Sequence, residues 1–167
     1  MKKFLSILFV ILLGGCGYQL AGKKTHLPPG VSSVAIPVLV NKTLEPGIEI
    51  PFTRAFLREF IQDGRIKVVD RREADAIIEG IIKSFYILSV SYDKSGYALE
   101  YQTVVIMDIT LKKRDGEILW QEKDLLERAW YRTSPSVIAT EDNKNNAIQQ
   151  IAQSLAERIR NRVFYNF

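Results

Sequence analysis

Apolar residues divide this chain into an unbroken run near its start and a long region in which they recur with a period. The run is Phe4 to Leu13. Beyond it, Val34, Ile36, Val38 and Val40 alternate with Ser33, Ala35, Pro37 and Leu39, a strand pattern that Pro37 pushes toward a sheet edge or a bulge. Phe52, Phe56 and Phe60 then recur at four-residue steps. Ala55 lies beside them, and Arg54, Arg58, Glu59 and Gln62 fall largely off the stripe. This spacing predicts an amphipathic helix that opens near Pro51 and stops at Asp63-Gly64.

Ile66 to Asp70 reads as a short strand, so strand, helix and strand make a parallel crossover. From Ala76 the apolar set Ile78, Gly80, Ile82, Tyr86, Leu88 and Val90 is matched on the opposite face by Ile77, Ile81, Phe85 and Ile87. A strand apolar on both faces predicts a second covered surface, one that a partner could cover. Tyr92 to Gly96 and Arg114 to Glu117 carry hairpin-turn residues, and they separate the strand of Tyr101 to Leu111 from its neighbours. A last strand, Ile118 to Tyr131, is strongly polar from Gln121 to Asp124, as suits an edge. Thr133 to Asn143 reads as a polar loop broken by Pro135. After it, Asn143 or Asn145 caps a final helix striped by Ile148, Ile151, Ala152, Leu155, Ile159 and Val163. This order predicts an α+β fold: a two-layer sandwich with two helices packed on one face of a mixed four- to five-stranded sheet.

The N-terminal run has a separate meaning. Lys2 and Lys3 precede it, Leu13-Gly14-Gly15 ends it, and the only cysteine, Cys16, follows. A positive n-region, a short apolar core and small residues before a cleavage point make a signal peptide over residues 1–15. Spanning a bilayer takes about 20 apolar residues, more than this run offers. Leu-Gly-Gly-Cys also resembles the bacterial lipobox, which implies cleavage before Cys16 and acylation of that cysteine. An ordinary secretory signal with an incidental thiol fits less well, because no other cysteine is present to pair with it. Residues 16–30, with Gly22, Pro28 and Pro29, then read as a lipidated tether, and 31–167 as a single domain. Gly17, rather than an aspartate, follows the cysteine, so the expected destination is the periplasmic side of the outer membrane.

Formal charge is +4 over 167 residues and falls to +2 once Lys2 and Lys3 leave with the signal. That balance does not indicate a nucleic-acid partner. The sole histidine, His26, sits in the tether, and an acylated Cys16 offers no nucleophile. No phosphate-binding glycine loop follows a predicted strand, and no His/Cys cluster has metal-ligand spacing, so neither a catalytic site, a metal nor a cofactor is expected. Basic loop residues carry the remaining chemistry. An antiparallel meander would gather Arg71, Arg72, Lys112, Lys113 and Arg114 at one end of the sheet and Lys94, Arg132 and Lys144 at the other. Either cluster is a candidate for binding anionic groups, with plain solvated loop residues as the competing reading.

Four short motifs in this order resemble the LptE family of lipopolysaccharide-assembly lipoproteins. They are Cys16-Gly17-Tyr18-Gln19-Leu20, Ile50-Pro51-Phe52-Thr53-Arg54-Ala55-Phe56, Glu100-Tyr101-Gln102, and Asp142-Asn143. The resemblance implies a non-enzymatic partner that plugs and helps assemble the LptD outer-membrane β-barrel and delivers lipopolysaccharide to the cell surface. It also implies a membrane anchor at Cys16 and lipopolysaccharide contacts at Lys94, Arg132 and Lys144. Thr140-Glu141 stand where a basic residue would have strengthened the ligand contact. Val34 to Val40 followed by Ala74 to Gly80 also resembles outer-membrane lipoproteins that regulate peptidoglycan synthases or build secretion assemblies, which is the alternative reading.

Overall fold

A computed structural model describes residues 30–165. The expected signal peptide, Cys16 and the expected tether before Gly30 therefore lie outside the described residues. The elements run β1 (Ser33–Ala35), β2 (Val40–Asn41), α1 (Glu49–Asp63), β3 (Lys67–Val68), β4 (Ala76–Tyr92), β5 (Ala98–Lys113), β6 (Ile118–Arg132) and α2 (Val137–Tyr165). The strands form one mixed sheet in the order β3-β1-β4-β5-β6, with β2 also paired to β4. β1 runs parallel to β3 and β4, and β4, β5 and β6 form an antiparallel meander. The result is the expected α+β sandwich, but with six strands where four to five were expected.

The extra strand comes from Pro37. Ala35 pairs with Ile77 and Val40 with Ile81, so one more residue separates the pairs on the first strand than on β4. Pro37 has no N–H for the ladder, and the chain leaves the sheet between Ala35 and Val40. That excursion overturns the expected alternation: Val38 is 68% exposed, and Leu39 is buried instead. The Leu39 N–H, displaced from the ladder, donates to Thr53 Oγ1 at 3.1 Å, and Thr53 in turn donates to the Glu49 carbonyl.

Helix α1 matches its pattern. Phe52, Phe56 and Phe60 are fully buried, each contributing about 2–3 kcal/mol relative to an exposed position. The helix ends where Gly64 adopts φ 67°, a conformation that a side chain disfavours, and the Gly64 N–H donates to the Phe60 carbonyl. Helix α2 begins at Val137, six residues before the first expected cap. Ser136 caps it, its Oγ accepting from the Ala139 N–H.

The two helices run side by side in the same direction. Lys144 meets Glu45 near their starts, while Arg160 meets Glu59 and Phe60 meets Phe164 near their ends. Glu59, expected off the apolar stripe, is buried and paired with Arg160 at 2.9 Å.

The start of the sheet is tied by Asp75. One of its carboxylate oxygens accepts from the backbone N–H groups and the hydroxyls of Ser32 and Ser33, all at 2.8–3.0 Å. These donors, the Ser32 amide foremost, draw the Asp75 carboxyl down to about 2.

Candidate interaction surface

The long strands position the surface of interest. On β4, Ile78, Gly80 and Ile82 face the helices, but the register slips between Ile82 and Ser84. The extra residue, Lys83, exchanges the two faces, so beyond it Phe85 and Ile87 turn toward the core and Tyr86 and Leu88 turn away, while Val90 is left unpaired where the register slips again between Ser89 and Ser91. The second apolar face is thus assembled from the two halves of the strand in opposite phase. Leu88 is 47% exposed, and Val90 and Tyr86 are similarly open. On the same face Val104 and Ile106 of β5 stand opposite Tyr86 and Ser84, and Leu126 and Trp130 of β6 continue the rows. Trp130 is 54% exposed.

This apolar area gives way to an ionic one at the slip. Lys83 Nζ lies 2.9 Å from Asp108 and 2.5 Å from Asp124. Asp124 sits at a second irregularity, with φ 55°, and its N–H donates to Asp108 Oδ1 at 2.8 Å. Burial pushes the Asp108 carboxyl up, yet this amide and the Lys83 ammonium outweigh it and leave the group below the usual carboxylate range. Further toward the sheet's start, Glu79 bridges Lys112 and Arg71, and Arg114 donates to the Ala74 carbonyl. Of the cations expected at this end, Arg71, Lys112 and Arg114 are thus matched to partners, and so is Lys113, 2.6 Å from Glu117.

The opposite end is a three-stranded arm. β2 leaves β4 after Ile82, so the remainder of β4 has only β5 beside it. The β4–β5 hairpin closes with the Asp93 N–H donating to the Tyr97 carbonyl, Asp93 Oδ1 accepting from Ser95 and Tyr97, and Gly96 at φ 86°. Lys94 stands exposed at this tip, with Tyr92 and Tyr97 exposed around it.

Arg132 ends β6 opposite Glu100, its side chain largely in solvent and 3.9 Å from that carboxylate. Thr133 fastens the chain to the hairpin by donating to the carbonyls of Ala98 and Leu99. Asn143 of α2 donates to the Arg132 carbonyl. Lys144 therefore belongs to the same end, but it is held between Glu45 at 3.0 Å and Glu141 at 2.7 Å, and its side chain is mostly covered. Burial disfavours its charge, yet the two carboxylates keep it above its ordinary value. Val137 and Ile138, at the start of α2, add exposed apolar surface that the polar-loop reading missed. Among the described residues no group of three or more His, Cys, Asp or Glu side chains is placed to hold a metal ion. No helix among them is long and apolar enough to cross a membrane.

A family model described as lipopolysaccharide-assembly, LptE, matches residues 31–163. This chain belongs to the LptE family. The match spans α1, all six strands and α2 as far as Val163, and the family is one of lipoproteins of lipopolysaccharide transport and outer-membrane assembly. No curated relative matches the chain. Solved structures share the fold at low identity. A lipoprotein B from Nitrosomonas europaea is 17% identical, with 89% of this chain and 90% of that one covered and a TM-score of 0.58. The rare lipoprotein B of Shewanella oneidensis is 17% identical, with 76% and 89% covered and a TM-score of 0.53. A PelC dodecamer from Paraburkholderia phytofirmans is 13% identical, with 81% and 90% covered and a TM-score of 0.52.

Proposed function

We propose that this LptE-family chain is the lipoprotein subunit of a lipopolysaccharide translocon, plugging and helping to assemble an LptD-type outer-membrane barrel and delivering lipopolysaccharide to the cell surface. It is anchored at Cys16 to the periplasmic side of the outer membrane and performs no catalysis. The observation that supports this reading most is the sheet face turned away from the helices, where Tyr86, Leu88 and Trp130 remain open along an arm that β2 no longer flanks. Exposed large apolar side chains gathered on one sheet face are the mark of a partner surface.

In this reading the apolar rows meet the barrel wall. Lys94 and Arg132 at the arm's tip supply charge-assisted donors to the phosphates of lipopolysaccharide. Lys144, already matched by Glu45 and Glu141, holds the loop before α1 against α2 and contacts the ligand less directly. Co-purification of the acylated protein from detergent-extracted outer membranes tests the proposal. Recovery of an LptD-type barrel is the expected result, and recovery of peptidoglycan synthases or a secretion assembly in its place would overturn it.

A further inference from the structure

The helix layer carries a second recess, remote from the sheet face. Toward their ends α1 and α2 touch directly, through Phe60 against Phe164 and Glu59 against Arg160. Toward their starts they enclose a groove of about 730 Å³. That volume falls within the roughly 300–1,000 Å³ of small-molecule sites.

Its chemistry is uneven in a specific way. Arg54 and Arg58, one turn apart on α1, line one wall, and both are exposed with no ion-pair or hydrogen-bond partner among the described residues. Other cations of the helix layer, Lys144, Arg158, Arg160 and Arg162, are matched to carboxylates. Asn146, Gln149 and Gln153 line the facing wall at positions that share one side of α2. The amides of Asn146 and Gln149 are likewise unpartnered among the described residues. Between the walls lie Ile48, Pro51, Ala55 and Ile148, an apolar floor.

The fixed charges favour an anion. Asp142 lines the groove as one negative group against two guanidinium groups, and the other carboxylate there, Glu45, is matched by Lys144 at 3.0 Å. The start of α1 also lines the groove, and no side chain caps it.

We propose that this groove binds a sugar bearing a phosphate or a carboxylate. Guanidinium groups take such an anion through paired N–H donors. Carboxamides donate and accept at once, as hydroxyl groups require, and the apolar floor suits the C–H face of a sugar ring. A protein segment would need deeper apolar anchors than this floor presents.

Titrations of the full protein, followed by amide NMR shifts, test the proposal with four probes: glucosamine 6-phosphate, trigalacturonate, neutral maltotriose and inorganic phosphate. Glucosamine 6-phosphate or trigalacturonate shifts the amides of Ala55, Asn146 and Gln149, and whichever binds more tightly tells a lipid-headgroup source from an acidic glycan. Substituting R54A and R58A together weakens that binding about tenfold or more, the scale of losing hydrogen bonds to a charged group. R54K with R58K recovers part of it. Both arginines are exposed, so the variants keep the wild-type fold. Equal affinity for maltotriose, equal affinity for inorganic phosphate alone, shifts confined to the sheet face, or undiminished binding by the double alanine variant would each overturn the assignment.

Discussion

Leu39 occupies the space that a side chain on Gly80 would need. A Cβ built on Gly80 falls 2.8 Å from Leu39 Cγ and Cδ2 and 2.9 Å from Ile109 Cδ1. The absence of a side chain on β4 and the outward loop at Pro37 are thus two halves of one fitting, since the loop delivers Leu39 and the glycine receives it. Gly80→Ala should destabilise the fold by about 1–3 kcal/mol through overpacking. Adding Leu39→Ala to that variant should cost less than Leu39→Ala costs alone, because the new methyl fills part of the cavity. Urea denaturation of the two single variants and the double reads this coupling, and strictly additive effects would contradict the fit.

Much of this arrangement is legible in the residues. The phenylalanine stripe marks α1 and its buried side, and Gly64 marks its end, because a 3.6-residue period and a left-handed stop are both local signals. The hairpins at Asp93–Tyr97 and Lys113–Glu117 are equally local. The face exchange at Lys83 is not, because a strand apolar on both sides keeps its alternation when one residue is inserted. The start of α2 was hidden for a different reason. Its opening turns bury nothing, with Val137 and Ile138 turned to solvent, so no stripe announces them. Lys94 and Arg132 could be assigned to one end of the sheet from the meander alone, whereas the capture of Lys144 depends on Glu45, a contact 99 residues away in the chain.

The Asp75 clasp makes a prediction about acid. Its carboxyl is drawn from the usual 3.8 to about 2 in the folded chain. A lowered folded value means that the contribution is complete above the unfolded value and is lost as pH falls from about 4 toward 2. D75N should therefore melt below the wild type at pH 6, and the difference should shrink across that window. Thermal melts from pH 6 to 2 check it, and a constant difference would remove Asp75 from the acid response.

Glu59 is almost fully covered, and Arg160 is its ion-pair partner. Arg160→Met should destabilise by about 2–3 kcal/mol, the low side of the cost of leaving a buried charge unpaired, because Arg160 is partly exposed. Glu59→Leu in the same chain should restore most of it. Denaturation midpoints of the single and double variants decide between this and an additive loss.

At the tip of the arm, K94E with R132E should weaken binding of purified lipopolysaccharide on the order of tenfold, since it replaces two charge-assisted donors by repelling groups. Lys144→Gln should act mainly on stability, through the freed Glu45 and Glu141. A binding assay beside a thermal melt separates the two effects. Equal loss of affinity in both variants would place Lys144 among the direct contacts.

The central claim is that the open sheet face docks on an outer-membrane barrel, and the most direct measurement is photo-crosslinking in intact cells from single positions. A crosslinker at Leu88 should capture an LptD-type barrel, while one at Gln150, on the exposed side of α2, should capture far less of it. A barrel captured equally from both positions, or captured only from Gln150, would contradict the account.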